Sequence, residues 1–226
     1  MQQNQCYLED TYRFNTVSSV IATGVDGGGQ WIALQDNIFH PQGGGQPADT
    51  GWVNKIPVVV KKHPSGLVVL YPQSSFSPPV GTNVASAVSA DTRVYHAALH
   101  TAGHLLNREM RQFGWIAVRG HHFPGESRVE FSAVESSAIP AERLDATDIE
   151  SIICQCIQQG AAIRCWFEGA TRLCQIDQSE PVPCAGTHTD DLARINAFSL
   201  KGIKFKKGTL RISYDAGHAP LGEYYV

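Results

Sequence analysis

Long apolar runs are missing from this chain of 226 residues. No stretch approaches the roughly 20 residues that cross a bilayer, and no charged-then-apolar leader opens the sequence. Membrane insertion and secretion are therefore not expected, and the cytoplasm is the default compartment. Charge is sparse as well. Charged residues make up 17% of the chain and the formal net charge is −3, which argues against a protein that coats nucleic acid indiscriminately. The six cysteines stand at 6, 154, 156, 165, 174 and 184. Five of the six crowd into the stretch 154–184 of a chain too long to need stapling, so no disulfide framework is expected and reduced thiols remain available as ligands. Cys154 and Cys156 fall on an expected helix and read as packing residues. No internal repeat is present. A hydrophobic content of 42% suffices for a real core, and the length suits two domains.

Against this background one constellation stands out. His96, His100 and His104 recur at every fourth position of a helical run, and about eighty residues later Cys184-Ala-Gly-Thr-His188 offers a thiol and an imidazole around a small-residue turn. Residues four apart share a helix face with Cβ atoms about 5–6 Å apart, so two imidazoles can converge on one ion while the cysteine and histidine close the cage. Three histidines overfill the ladder, because four residues turn slightly more than one helical cycle. Spacing alone leaves either His96 with His100 or His100 with His104 as the pair. The zinc-protease pattern His-Glu-x-x-His is excluded, since position 101 is threonine.

Up to about residue 88 the chain shows short β-rich runs between turn signals, at 16–23, 31–34, 56–61 and 67–71, with a last strand through Val88. This predicts a small N-terminal β-barrel or sandwich over 1–88. The remainder, 89–226, predicts an α+β domain: helix 93–113, strand 128–132, helix 141–159 with Asp148 at its front and Gly160 behind it, strand 162–168, a cysteine loop, and strands 197–205 and 209–214. The metal would lie between helix and sheet. One loop does not read as scaffolding. Phe39-His40-Pro41-Gln42-Gly43-Gly44-Gly45-Gln46 carries three consecutive glycines, whose entropic cost suggests a close approach to a ligand. The lysine and hydroxyl residue that would end a phosphate loop are missing, so nucleotide binding is set aside.

Local charge tells more than the net value. Lys201, Lys204, Lys206, Lys207 and Arg211 gather late in the chain, and Arg93, Arg108, Arg111 and Arg119 flank the histidine helix. Such a stripe can track a phosphate backbone, or the lysines can simply defend a strand edge.

Taken together, the run from Phe39 to Gly51, the helix Leu99-His-Thr-Ala-Gly-His-Leu-Leu106 and Pro183-Cys-Ala-Gly-Thr-His188 resemble the AlaX family, free-standing relatives of the alanyl-tRNA synthetase editing domain. The likeness spans most of the chain in the right order and is similar to the medium-length AlaX type, a barrel followed by an editing domain. The resemblance implies zinc held by His100, His104, Cys184 and His188, and trans deacylation of alanine tRNA mischarged with serine or glycine. It also implies a pocket role for Gln46 and makes His122, within 118–126, a candidate for selecting the substrate side chain. The family usually has glycine at the position of Ala185, a small change in a tight turn.

Four protein ligands describe a closed zinc site, whereas catalysis needs an open position. Either His188 yields, which is the expected case, or the ion expands its coordination, or zinc binds the substrate's amino group and water is activated otherwise. Two other readings fit the same residues, a zinc-stabilised RNA-binding module without turnover and a hydrolase of small amino-acid esters.

Overall fold

The computed structural model describes residues 2–134 and 138–222. The chain divides into two compact units, Met1–Gly43 with Pro47–Val94, and Gly44–Gln46 with Tyr95–Val226. The fold is α+β, as the patterning predicts.

The first unit begins with a parallel pair, β1 (Asn4–Gln5) and β4 (Asp36–Asn37). Strands β2 (Asn15–Asp26), β3 (Gly29–Leu34), β5 (Gly51–Val53), β6 (Ile56–Lys62), β7 (Val68–Pro72) and β8 (Asn83–Val88) close a barrel in the order β2-β3-β7-β6-β5-β8. Alternation explains the inside: Val58 and Val60 of β6 and Val84 and Val88 of β8 are buried, while their neighbours Val59 and Ala85 face out. Asn54 and Lys55 join β5 to β6 with φ of 47° and 67°, the primed turn whose twist suits a two-residue hairpin.

Charge is also used inside this unit. The side chains of Arg93 and Asp49 have no solvent exposure and form an ion pair, with Arg93 Nε 3.0 and 3.2 Å from the two carboxylate oxygens. The guanidinium spends its remaining donors on the carbonyl oxygens of Thr11 (2.9 Å) and Ile38 (2.6 Å), and Asp49 also accepts from the His40 N–H at 2.6 Å. Arg93 is therefore a core residue, which removes it from the expected phosphate-tracking set.

In the second unit α1 (Ala90–Met110, of which residues up to Val94 belong to the first unit) buries Ala97, Ala98, Leu99, Ala102, Leu105, Leu106 and Met110. Arg111–Phe113 tighten into a 3-10 turn ended by Gly114 at φ 79°, so the helix stops before residue 113. An antiparallel sheet in the order β14-β15-β10-β9 combines β9 (Trp115–His121), β10 (Arg128–Ala133), β14 (Ile195–Lys206) and β15 (Thr209–His218). A second sheet joins β11 (Ile163–Glu168), β12 (Thr171–Ile176) and β13 (Val182–Pro183). Helix α2 (Ala146–Gln159) starts later than the expected 141, because Asp145 is its N-cap and accepts from the N–H groups of Thr147 and Asp148. Cys154 and Cys156 pack against this unit's core, and all six cysteines are free. No helix among the described residues is long and apolar enough to cross a membrane.

Removing one partner of a buried ion pair strands the other charge. Asp49→Ala is expected to lower stability by about 3–5 kcal/mol, read from urea unfolding monitored by tryptophan fluorescence. A loss below about 1 kcal/mol would show that Arg93 does not depend on this carboxylate.

Candidate metal centre and its cavity

Helix α1 carries His100 and His104 one turn apart, with ring centroids separated by 5.1 Å. The loop after β13 brings Cys184 and His188 to the same point. Cys184 Sγ lies 3.4 Å from His100 Nε2 and 3.1 Å from His188 Nε2, and the ligand atoms of all four residues lie within 4.8 Å of one another. Tetrahedral zinc with bonds of about 2.0–2.1 Å to nitrogen and about 2.3 Å to sulfur needs donors roughly 3.3–3.6 Å apart. The 3.4 Å pair falls in that range and the 3.1 Å pair just below it, all four donors stay within 4.8 Å, and the soft, borderline donor set suits that ion. His96 is buried but stands outside the group, so the open choice between histidine pairs falls on the second.

What makes these rings usable is the hydrogen bonding behind them. His100 Nδ1 is 2.8 Å from Gln46 Oε1, an atom that can only accept, so Nδ1 carries the proton and Nε2 is left bare toward the centre. Gln46 cannot flip its amide without loss, because Oε1 also accepts from the Thr187 N–H at 3.0 Å and Nε2 donates to Thr187 Oγ1 at 2.9 Å. His188 has its Nδ1 3.2 Å from Thr101 Oγ1, which leaves its Nε2 facing Cys184. The threonine that excludes a zinc protease is thus a positioning residue. Behind the cysteine, Arg172 donates to the carbonyl oxygens of Cys184 and Gly186, both at 2.9 Å, and pins the turn. A Cβ at Gly186 would overlap the His100 ring, so glycine is required where the loop passes.

Electrostatics prepare the donors unequally. Burial holds the His104 imidazole down to about 4, with the Arg172 charge adding to the effect. Burial pushes the Cys184 thiol up to about 11, against the Gly186 N–H and Arg172. The imidazole is therefore neutral and ready to ligate, whereas a cation must displace a proton from the thiol.

A cavity of about 430 Å³ opens beside the group. His100, His104, Cys184, His122, Asn107 and Arg119 are on its wall. His188 is not, and it is buried with its Nδ1 against Thr101, so its position speaks against the yielding ligand that was expected. Gln46 is not on the wall either; it is fully buried behind His100 and belongs to the second unit. The glycine run explains this placement. Gly44 and Gly45 have φ of 57° and 78°, and the Gly45 carbonyl accepts from the His122 N–H at 2.7 Å, so the loop's close approach is to its own protein as well as to the cavity that Gly44 lines. His122 stacks on His100 at 4.4 Å and 20°, and burial holds its imidazole down to about 3, with the neighbouring His104 and His121 lowering it further. Ala185, in the tight turn, also faces the cavity.

The basic residues divide. Lys201, Lys204, Lys206 and Arg211 are exposed on β14 and β15, and Lys207 forms their turn at φ 51°. β14 is an edge strand, and its lysines guard that edge against pairing. Arg211 is 2.7 Å from Glu130, Arg108 is 2.5 Å from Glu109 and Arg111 is 2.5 Å from Glu180.

No family model matches the chain. The chain is similar to the alanyl-tRNA editing protein AlaX-M of Pyrococcus horikoshii, at 30% identity over 189 residues that cover 80% of this chain and 84% of that protein. It is also similar to the alanine–tRNA ligases of Caldivirga maquilingensis and Korarchaeum cryptofilum, at 26% identity in both cases. Those matches cover 96% and 93% of this chain but only 27% and 26% of the ligases.

Elemental analysis of the purified protein is expected to find one zinc per chain, lost in His104→Ala and Cys184→Ala and retained in His96→Ala. Gln46→Leu, which removes the acceptor behind His100, should weaken zinc binding about 10- to 100-fold in a chelator competition. Full zinc retention in His104→Ala would break the assignment.

Proposed function

The chain belongs to the AlaX family of alanyl-tRNA editing proteins, and on that premise we propose that it is a zinc-dependent deacylase of alanine tRNA mischarged with serine or glycine. One observation carries the reading: a cavity large enough for an amino acid esterified to a ribose has three of the four donor residues on its wall. Zinc held by His100, His104, Cys184 and His188 would supply Lewis-acid polarisation of the ester carbonyl by expanding its coordination on the cavity side, with His188 kept.

An aminoacyl ester is already activated, so placement matters more than a strong nucleophile. Three features of this chain serve placement. Gln46 and Thr101 hold His100 and His188 from behind, and so act as positioning residues. Arg119 is exposed at the cavity, where a guanidinium suits the phosphates of the tRNA terminus. His122 lines the cavity together with the apolar Ile116, Ala117 and Val129 and offers a polar patch there. Selection against alanine follows from that patch, since a group that pairs with a hydroxyl is left unsatisfied by a methyl.

The tRNA acceptor end supplies a flexible single strand for the cavity, with the stem along Lys201, Lys204, Lys206, Lys207 and Arg211. Such a substrate places the protein in the cytoplasm, where aminoacyl-tRNA is made.

With zinc bound, the protein is expected to hydrolyse seryl- and glycyl-tRNA of the alanine acceptor and to spare alanyl-tRNA by about 100-fold or more, with activity lost to chelator. Tight tRNA binding without turnover would point instead to an RNA-binding module, and hydrolysis of a free serine ester alone to a small-ester hydrolase. Replacing Lys204, Lys206 and Lys207 with alanine should lower the slope of log affinity against log salt by about 2–3. Unchanged affinity at low salt would remove the hairpin from the tRNA path.

A further inference from the structure

Three glycines from separate segments converge on one side chain. A Cβ at Gly103 of α1 would overlap the His122 ring and come within 2.7 Å of Tyr214 Oη; one at Gly120 would lie 2.5 Å from His122 Nε2, and one at Gly45 would lie 3.3 Å from its Cδ2. The chain omits side chains at all three places, and His122 is held in one orientation, stacked on His100. Packing this tight fixes the ring but leaves its proton undecided.

Tyr214 of β15 decides it. Its phenol is buried and lies 2.8 Å from the carbonyl oxygen of Leu99 and 2.6 Å from His122 Nδ1. A carbonyl can only accept, and a phenol has one proton to give. Tyr214 therefore donates to Leu99 and must accept from His122, which puts the imidazole proton on Nδ1 and strips it from Nε2. We propose that Tyr214 is a positioning residue that locks the Nδ1–H tautomer of His122, so that His122 Nε2 faces the cavity as a dedicated acceptor for the hydroxyl of a seryl ester. The selector role rests on the deacylase reading; the proton placement does not.

The arrangement accounts for discrimination by an atom that can accept and never donate. A seryl hydroxyl satisfies it and an alanyl methyl covers it unpaired, whereas a glycyl ester, with no side chain, leaves room for a water to pair with it. In Tyr214→Phe the ring is kept but the acceptor for Nδ1–H is gone, so the tautomer is released and Nε2 can carry the proton.

Two measurements on zinc-loaded protein test this. Long-range ¹H–¹⁵N spectra of histidine-labelled protein should show protonated Nδ1 and bare Nε2 for His122, and a shift toward Nε2–H in Tyr214→Phe. Deacylation by Tyr214→Phe should lose about 10- to 100-fold in the ratio of seryl to alanyl hydrolysis, with glycyl-tRNA turnover within about 2-fold of the parent. His122→Phe, which preserves the stack, should lose the same ratio, and the double variant should lose no more. A His122 with its proton on Nε2 in the parent protein overturns the tautomer lock. Unchanged seryl preference in Tyr214→Phe overturns the selector role, as does an equal fall in seryl and glycyl turnover, which a structural loss would give. A protein that deacylates nothing sinks the functional reading and the selector role with it, while the spectra still judge the proton placement.

Discussion

The hydrogen bond from His100 Nδ1 to Gln46 Oε1, 2.8 Å long and fully buried, determines which nitrogen of that ring is left for a cation. The rest of the centre follows from it. With Nε2 bare and aimed inward, the Cys184 sulfur 3.4 Å away, the His188 nitrogen beyond it and His104 one turn on form a set of four donors close enough for one cation to hold. The same amide ties the helix to the cysteine loop, because Gln46 also exchanges two hydrogen bonds with Thr187. One glutamine thus joins the two halves of the ligand set, and a buried amide with all these bonds satisfied cannot rotate without leaving a polar group unpaired.

The glycines around the site serve this economy of space. Gly186 lets the loop pass over His100, and Gly45, Gly103 and Gly120 leave room for His122. Each is a place where a side chain would occupy the volume that a functional imidazole needs. The site is therefore made rigid by omission as much as by contact, which suits chemistry in which placement of an activated ester matters more than the strength of any one group.

How much of this could be read from residues alone depended on whether the signal was local. The ligand helix was legible because apolar residues and histidines share its period, and the barrel strands because Val58 and Val60 alternate with exposed neighbours. Strand β12 was not legible, since its buried positions hold Arg172 and Cys174 beside Ile176, which erases the period-2 contrast. The start of α2 was misplaced because Asp145, and not a residue further along, captures the first free N–H groups. Spacing could not choose between His96 and His104, because both obey the same rule. The roles of Thr101, Arg172 and Tyr214 were invisible, for each acts on a group distant in sequence. Gln46 was found through its motif yet assigned to the pocket, when its amide works from behind the ligand.

In the proposed centre three imidazoles and one thiolate surround a single zinc ion. X-ray absorption at the zinc edge of the purified protein measures that shell directly. One sulfur at about 2.3 Å and three nitrogen neighbours at about 2.0–2.1 Å are expected, with the multiple-scattering pattern of imidazole. A shell without sulfur, or one dominated by oxygen, would contradict it.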